Sequence, residues 1–308
     1  MSVLKAYKFK IYPNEAQKEF FVKTFGCVRF TYNHLLIARS QTDGKKMTPA
    51  SLKKEYPFLK ETDSLALANA QRNLETAFRR YYTGKSDYPK FKNKSNIWQS
   101  YTTNNQGQTI CLTDGLLKLP KLKTRIAVNE HREIKGQIKS ATISAKNNEE
   151  FYVSILCLES IEALPKTTLE IQLRYSPEEL LDNLSGLTTL NFDQAAILCK
   201  MAKMNRRLKL RGKIARKKKV PLAYAKNYQK QKVKLSRLQG HQKEKKEDYF
   251  NQLSYTLIRD FDRITVDKAK LSDRSDDETV NFTKADWQTF LRKLQYKADW
   301  YGKEIIYQ

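Results

Sequence analysis

Residues 200–246 hold 19 Lys or Arg and a single acid, Glu244, so the chemistry this stretch offers is phosphate binding. Cations set this closely repel one another along a helix unless a polyanion neutralises them. Tyr224 and Tyr228 stand among them as rings on which bases can stack. A charge run is also what a solvated face looks like, and that alternative stands beside the first. A second set of residues can read base edges. Gln99-Ser-Tyr-Thr-Thr-Asn-Asn105 follows the basic loop Lys90 to Lys94 and offers amides that pair with adenine and Thr methyls that meet thymine. The other reading of this segment is a polar strand ending in an Asn-Asn turn. Asn69, Gln71 and Asn73 interrupt a run rich in Ala and Leu, either as solvated positions or as part of the same reader.

The whole chain repeats the bias: 58 Lys plus Arg against 33 Asp plus Glu give a formal charge of +25 over 308 residues, and the natural partner is a polyanion. That length suits two or three compact units. Cys27, Cys111, Cys157 and Cys199 are far apart with no CxxC pair, which points to reduced, mostly buried thiols and away from a zinc knuckle or a disulfide framework. No apolar segment suits a secretory signal or a membrane span, so the expected place is the cytoplasm, on the nucleoid, with no membrane partner.

These groups need elements to hold them. Residues 3–11 alternate and stop at Tyr12-Pro13-Asn14, which predicts a strand and then a helix capped by Asn14. Helical spacing runs from Glu15 to about Ser40 and again from Leu65 to Tyr82. Between about 97 and 175 the pattern changes to short alternating runs (Thr109-Ile-Cys-Leu, Leu116-Leu-Lys-Leu, Ser140-Ala-Thr-Ile-Ser, Phe151-Tyr-Val-Ser-Ile-Leu) with turns at Asp114-Gly115 and Asn147-Asn148. A small antiparallel barrel or sandwich is expected there. A last region reads as a strand at Leu187 to Asp193, long basic helices, a strand at Arg263 to Asp267, a helix at Lys284 to Tyr301 and a strand at Glu304 to Tyr307.

Five segments in order, Lys5-Ala-Tyr-Lys-Phe-Lys-Ile-Tyr-Pro13, Gly26-Cys-Val-Arg-Phe-Thr-Tyr-Asn33, Tyr88-Pro-Lys-Phe-Lys92, Gln99 to Asn105 and Trp287 to Gly302, resemble the TnpB family of transposon-encoded RNA-guided nucleases. The resemblance implies an α+β multidomain protein. Its parts would be a wedge-type antiparallel β-barrel (1–13 and 86–180), a helical recognition insertion (14–85) and a degenerate, truncated RuvC-like (RNase H-like) α/β domain with long basic helices (181–308). It implies a guide RNA as partner and double-stranded target DNA with a short adjacent motif. Motif reading would fall on Tyr32, Asn33, Asn69, Asn73, Tyr101, Thr102, Thr103 and Asn104. Guide RNA and heteroduplex would lie on Lys5, Lys8, Lys10, Arg79, Arg80, Lys90, Lys92, Arg206, Arg207, Arg211, Arg216, Lys217, Lys218, Lys219, Lys230, Lys234 and Arg237.

The family's cleavage site needs three acids around two metal ions. Here Asn191-Phe-Asp-Gln-Ala195 keeps Asp193 but lacks the family's two glycines, and Ile264-Thr-Val-Asp-Lys268 offers Asp267 where the family has a longer glutamate. The third acid and the four-cysteine zinc element would lie beyond Gln308. The expectation is therefore a protein similar to the TldR group of that family, binding without cutting. It would be no enzyme, with Asp193 and Asp267 as remnants, no functional Mg or Zn site, and repression of transcription by competing with RNA polymerase for a promoter. The alternatives are a residual Mg-dependent RNA-guided nuclease and a binder of guide RNA or transposon ends that regulates transposition.

Overall fold

The alternating pattern near the N-terminus becomes strand β1 (Ser2–Tyr12) in the computed structural model, which describes residues 1–40, 47–182, 192–267 and 281–308. Val3, Tyr7, Phe9 and Ile11 turn inward and Lys8, Lys10 and Tyr12 outward, since successive strand residues face opposite sides of a sheet. Asn14 then starts α1 (Glu15–Ser40) by a reciprocal cap: the Gln17 N–H donates to Asn14 Oδ1 and the Asn14 N–H to Gln17 Oε1, both at 2.9 Å. A short helix α2 (Pro49–Glu55), a 3-10 turn (Pro57–Glu61) and α3 (Ser64–Tyr82) follow. The two long helices fall where the spacing placed them.

Six more strands join β1: β2 (Trp98–Asn104), β3 (Cys111–Thr113), β4 (Leu116–Lys118), β5 (Ile126–Asn129), β6 (Gln137–Lys146) and β7 (Glu150–Ser160). They form one antiparallel sheet in the order β2-β6-β7-β1-β5-β4-β3. Its tight turns carry positive φ at Asp114 and Gly115 (52° and 69°) and at Asn147 and Asn148 (53° and 58°), the geometry that suits the right-handed twist of a hairpin. Phe9, Ile143, Phe151 and Val153 of the sheet share one core with Phe21 and Phe25 of α1 and Leu67, Leu74 and Phe78 of α3. The expected barrel is an open sheet, because the order ends at β2 and β3, which do not pair among the described residues.

The rest is a second unit with its own core: Met1 and Ile161–Gln308, against Ser2–Ser160 for the first. It contains β8 (Glu170–Leu173), a small hairpin of β9 (Tyr175–Ser176) and β10 (Leu180–Leu181), α4 (Ala195–Lys217), α5 (Lys226–Asp260), β11 (Arg263–Val266), α6 (Lys284–Tyr301) and β12 (Glu304–Tyr307). Three strands run parallel in the order β12-β11-β8. Here the structure corrects the expected boundary at 180. Residues 161–180 leave the first sheet because β8 pairs with β11, and the Asp262 carboxylate at the head of β11 accepts the N–H groups of Thr167 (2.9 Å) and Thr168 (2.8 Å). Most of the strand expected at Leu187 to Asp193 lies outside the described residues, and its last two residues, Phe192 and Asp193, are not in a strand.

Candidate nucleic-acid interface

α4 and α5 form an antiparallel hairpin. Gly212 of α4 sits against the Tyr228 ring of α5, Arg211 donates to the Asn227 carbonyl (2.8 Å), Gln231 to the Met204 carbonyl (3.3 Å), and Gln242 to Gln194 Oε1 (3.1 Å). A side chain longer than a methyl at 212 would hold the helices apart. Arg206, Arg207, Arg216, Lys217, Lys218, Lys219, Lys230, Lys234 and Arg237 are all exposed, while Arg211 is half-buried and tied to its neighbour. The two tyrosines part company: Tyr224 is 78% exposed in the connection, and Tyr228 packs within the hairpin. Beyond residue 248, α5 changes role, and Tyr249, Phe250, Leu253, Leu257 and Ile258 enter the core. One helix thus anchors in apolar packing and projects a cationic half.

A second cationic surface lies on the outer face of the seven-stranded sheet. Lys8 Nζ lies 5.0 Å from the Tyr152 ring and 5.8 Å from the Trp98 ring, whose centroids are 6.0 Å apart. Beside them Thr102 and Thr142 hydroxyls meet at 2.8 Å. Sequence reasoning missed Trp98 and Tyr152, since only strand register brings β1, β7 and β2 together. Lys10 shares the outward face, but Lys5 has inward parity and pairs with Glu159 (3.3 Å, 5% exposed). Lys5, half-buried, therefore has its charge offset by a buried carboxylate, unlike Lys8 and Lys10. Arg79, Arg80 and Lys90 are exposed. Lys92 is half-buried with Nζ 4.4 Å from the Tyr32 ring, and burial lowers its pKa.

The expected motif readers divide in the same way. Tyr101 points into the core against Phe21 and Phe25, and burial pushes its phenol far above the usual range. Thr103, buried, donates to Asp63 at the head of α3, and Tyr32 is buried too. None of these three can touch a base in this structure. Asn33 is a staple: its Nδ2 donates to the Lys92 carbonyl (3.0 Å) and its Oδ1 accepts the Lys92 N–H (2.9 Å), pinning the Tyr88 to Lys92 loop to α1. Asn69 Nδ2 reaches from α3 to the Thr102 carbonyl (2.9 Å) and to Asn104 Oδ1 (3.3 Å), which binds the helix along the edge of β2. Thr102 and Asn104 are half-buried and Asn73 is exposed, so these three remain able to meet DNA.

The two expected remnant acids are held separately. Asp193, exposed, accepts the Ala195 N–H (2.9 Å) at the start of α4, and Asp267 pairs with Arg174 (3.4 Å). No group of three or more His, Cys, Asp or Glu side chains able to hold a metal occurs among the described residues, so a two-metal centre does not fit the carboxylates as placed there. Segment 268–280, which follows Asp267, adds Asp273, Asp276, Asp277 and Glu278 in sequence and lies outside the described residues. Among the described residues, no helix is long and apolar enough to cross a membrane.

The chain therefore combines an open antiparallel sheet packed with helices and a separate parallel α/β unit that carries the basic hairpin. A helix-turn-helix family profile, HTH_OrfB_IS605, matches residues 1–42, although the described part of that segment is one strand and one helix. A protein of Streptomyces pristinaespiralis named as a candidate RNA-guided DNA endonuclease is 25% identical over 99% of this chain and 77% of its own length. InsQ of Escherichia coli K12, named in the same way, is 22% identical over 99% of this chain and 80% of its own. In fold, the chain is similar to one in the cryo-EM structure of the Cas12f1–sgRNA–target DNA complex, with a TM-score of 0.51 at 12% identity, covering 95% of this chain and 73% of the other. The chain thus carries the IS605 OrfB match over residues 1–42 and is similar along nearly its whole length to two proteins named as RNA-guided DNA endonucleases. These relatives overturn the expectation that the protein is not an enzyme: both that span it end to end bear the name of an endonuclease, and the loss of two motif glycines and one methylene does not outweigh that.

Proposed function

We propose that this chain is an RNA-guided DNA-binding protein that represses transcription in the manner of the TldR group. It holds a guide RNA on the α4–α5 hairpin and occupies guide-matched promoter DNA, beside a short motif met by Asn73, Thr102 and Asn104, in competition with RNA polymerase. The observation that carries the reading is the hairpin, most of whose Lys and Arg side chains are exposed in a stretch with one acid in 47 positions. The names of the relatives and the RNA and DNA in the complex of the structural neighbour support it. Occupancy is a binding step, and base pairing supplies its sequence specificity.

The test is to express the chain with its native flanking DNA, sequence the RNA that copurifies, and map chromosomal occupancy and transcription in the same cells. A discrete RNA whose 3′ end matches an occupied, silenced promoter is the expected outcome. Heterogeneous RNA without matching occupancy would sink the reading, and guides matching only the element's own empty site would favour control of transposition. The endonuclease names favour a second reading, Mg-dependent RNA-guided cleavage. It predicts cleavage of guide-matched DNA that disappears in the Asp193→Ala, Asp267→Ala double variant.

A further inference from the structure

The outer face of α1 carries a cleft of about 520 Å³ that no role above uses. Phe30, Phe58 and Phe91 line it, with His34 at 4.0 Å from the Phe30 ring and Arg29 on its wall. Phe91 is 60% exposed and Phe58 45%, a large apolar display for a chain of this charge. Arg29 donates to a neutral group, Gln99 Oε1 at 3.2 Å, so its charge is not offset by a carboxylate there.

Gly26 lies in the same cleft and in the adjoining one of about 310 Å³ that shares Phe58. It sits inside α1, where glycine costs about 1 kcal/mol relative to alanine. Neither packing nor backbone conformation demands it: a Cβ there would meet nothing nearer than Arg29 Nη2 at 4.0 Å, and its φ is not positive. The missing side chain keeps the space open.

We infer that this cleft receives an unpaired nucleobase of the bound nucleic acid, stacked on Phe91 and Phe58 with its phosphate on Arg29. Aromatic faces suit any base, and an uncompensated guanidinium beside them suits the phosphate that comes with it. A net charge of +25 makes nucleic acid the occupant that matches the field around the cleft. The inference rests on the nucleic-acid-binding reading above and adds to it a site for a base outside any duplex.

The test is photocrosslinking of the full chain to short single strands carrying 5-iodouracil, one RNA and one DNA, with mapping of the crosslinked peptides. The expected crosslinks fall on Phe91 or Phe58, and the strand that gives them identifies whether guide or DNA supplies the base. Gly26→Leu should abolish those crosslinks, and Phe91→Ala should weaken single-strand affinity about tenfold. Gly26→Ala should raise Tm while reducing the crosslink, a combination that misfolding cannot produce. Crosslinks confined to Tyr224 and the basic hairpin, or unchanged in Gly26→Leu, would overturn the inference and leave the binding reading intact. No binding of either strand at low salt by the wild-type chain would overturn both.

Discussion

Asn104 is the residue through which recognition is most directly testable. Its Oδ1 is engaged by Asn69, which leaves its NH2 group as the donor it can offer to a base acceptor, while Asn69 itself is spent on holding α3 to β2. Asn104→Ala should relax the preference for the adjacent motif with little change in Tm, measured by selection of bound sequences from a randomised library; an unchanged preference would remove the residue from the reader. Lys297 gives a different kind of prediction. It is buried, its Nζ donates to the Asn251 carbonyl (2.5 Å) and Ser254 Oγ (2.8 Å), and burial first, then the charge of Lys293, lowers its pKa from 10.5 to about 8. Between those two values the unfolded chain holds a proton that the folded chain has lost, so stability rises with pH across this window; below about 8 both states are protonated and the dependence ends. Lys297→Met removes the effect. Its stability relative to wild type should fall from pH 8 to pH 10, by at most about 1.4 kcal/mol per pH unit, in denaturant titrations at fixed salt.

At the scale of elements, the hairpin depends on the closeness of its two helices. A Cβ on Gly212 would lie 3.4 Å from the Tyr228 ring, at ordinary contact, and a branched side chain would have to displace the ring. Gly212→Ala should therefore hold or raise stability by up to about 1 kcal/mol through helix propensity, whereas Gly212→Leu should splay the hairpin. Limited proteolysis between α4 and α5 would report the difference: faster cleavage in the leucine variant only. The helices over 15–40 and 64–82 and the Asn14 cap were legible in the sequence, because spacing, caps and turn residues act over a few positions. Strand β8 was assigned to the wrong sheet for the opposite reason. Its partner β11 lies some ninety residues away, and nothing local in Glu170 to Leu173 names it.

For the whole molecule the leading quantity is charge. Replacing Lys217, Lys218 and Lys219 with Ala should weaken RNA binding and lower the slope of log affinity against log salt by about 2, since each phosphate contact contributes roughly 0.7 on a single strand. An unchanged slope would place the RNA elsewhere, with the Lys8, Trp98 and Tyr152 surface of the sheet as the next region to test.

The sequence by itself determined the cationic surplus, the likeness to RNA-guided nucleases and the position of nearly every long element. Net charge, helical period and turn chemistry are sums over neighbours, and they survive without knowledge of the fold. Tertiary structure decided which of the polar residues are available. Lys5 turned inward to Glu159 because of strand parity, Tyr101 and Thr103 sank beneath α3, and Asn33 and Asn69 spent their amides on backbone that a packed interior would otherwise leave unpaired. It also assembled Trp98, Tyr152 and Lys8, and opened a cleft over Gly26, from residues whose separation in the chain conceals their contact.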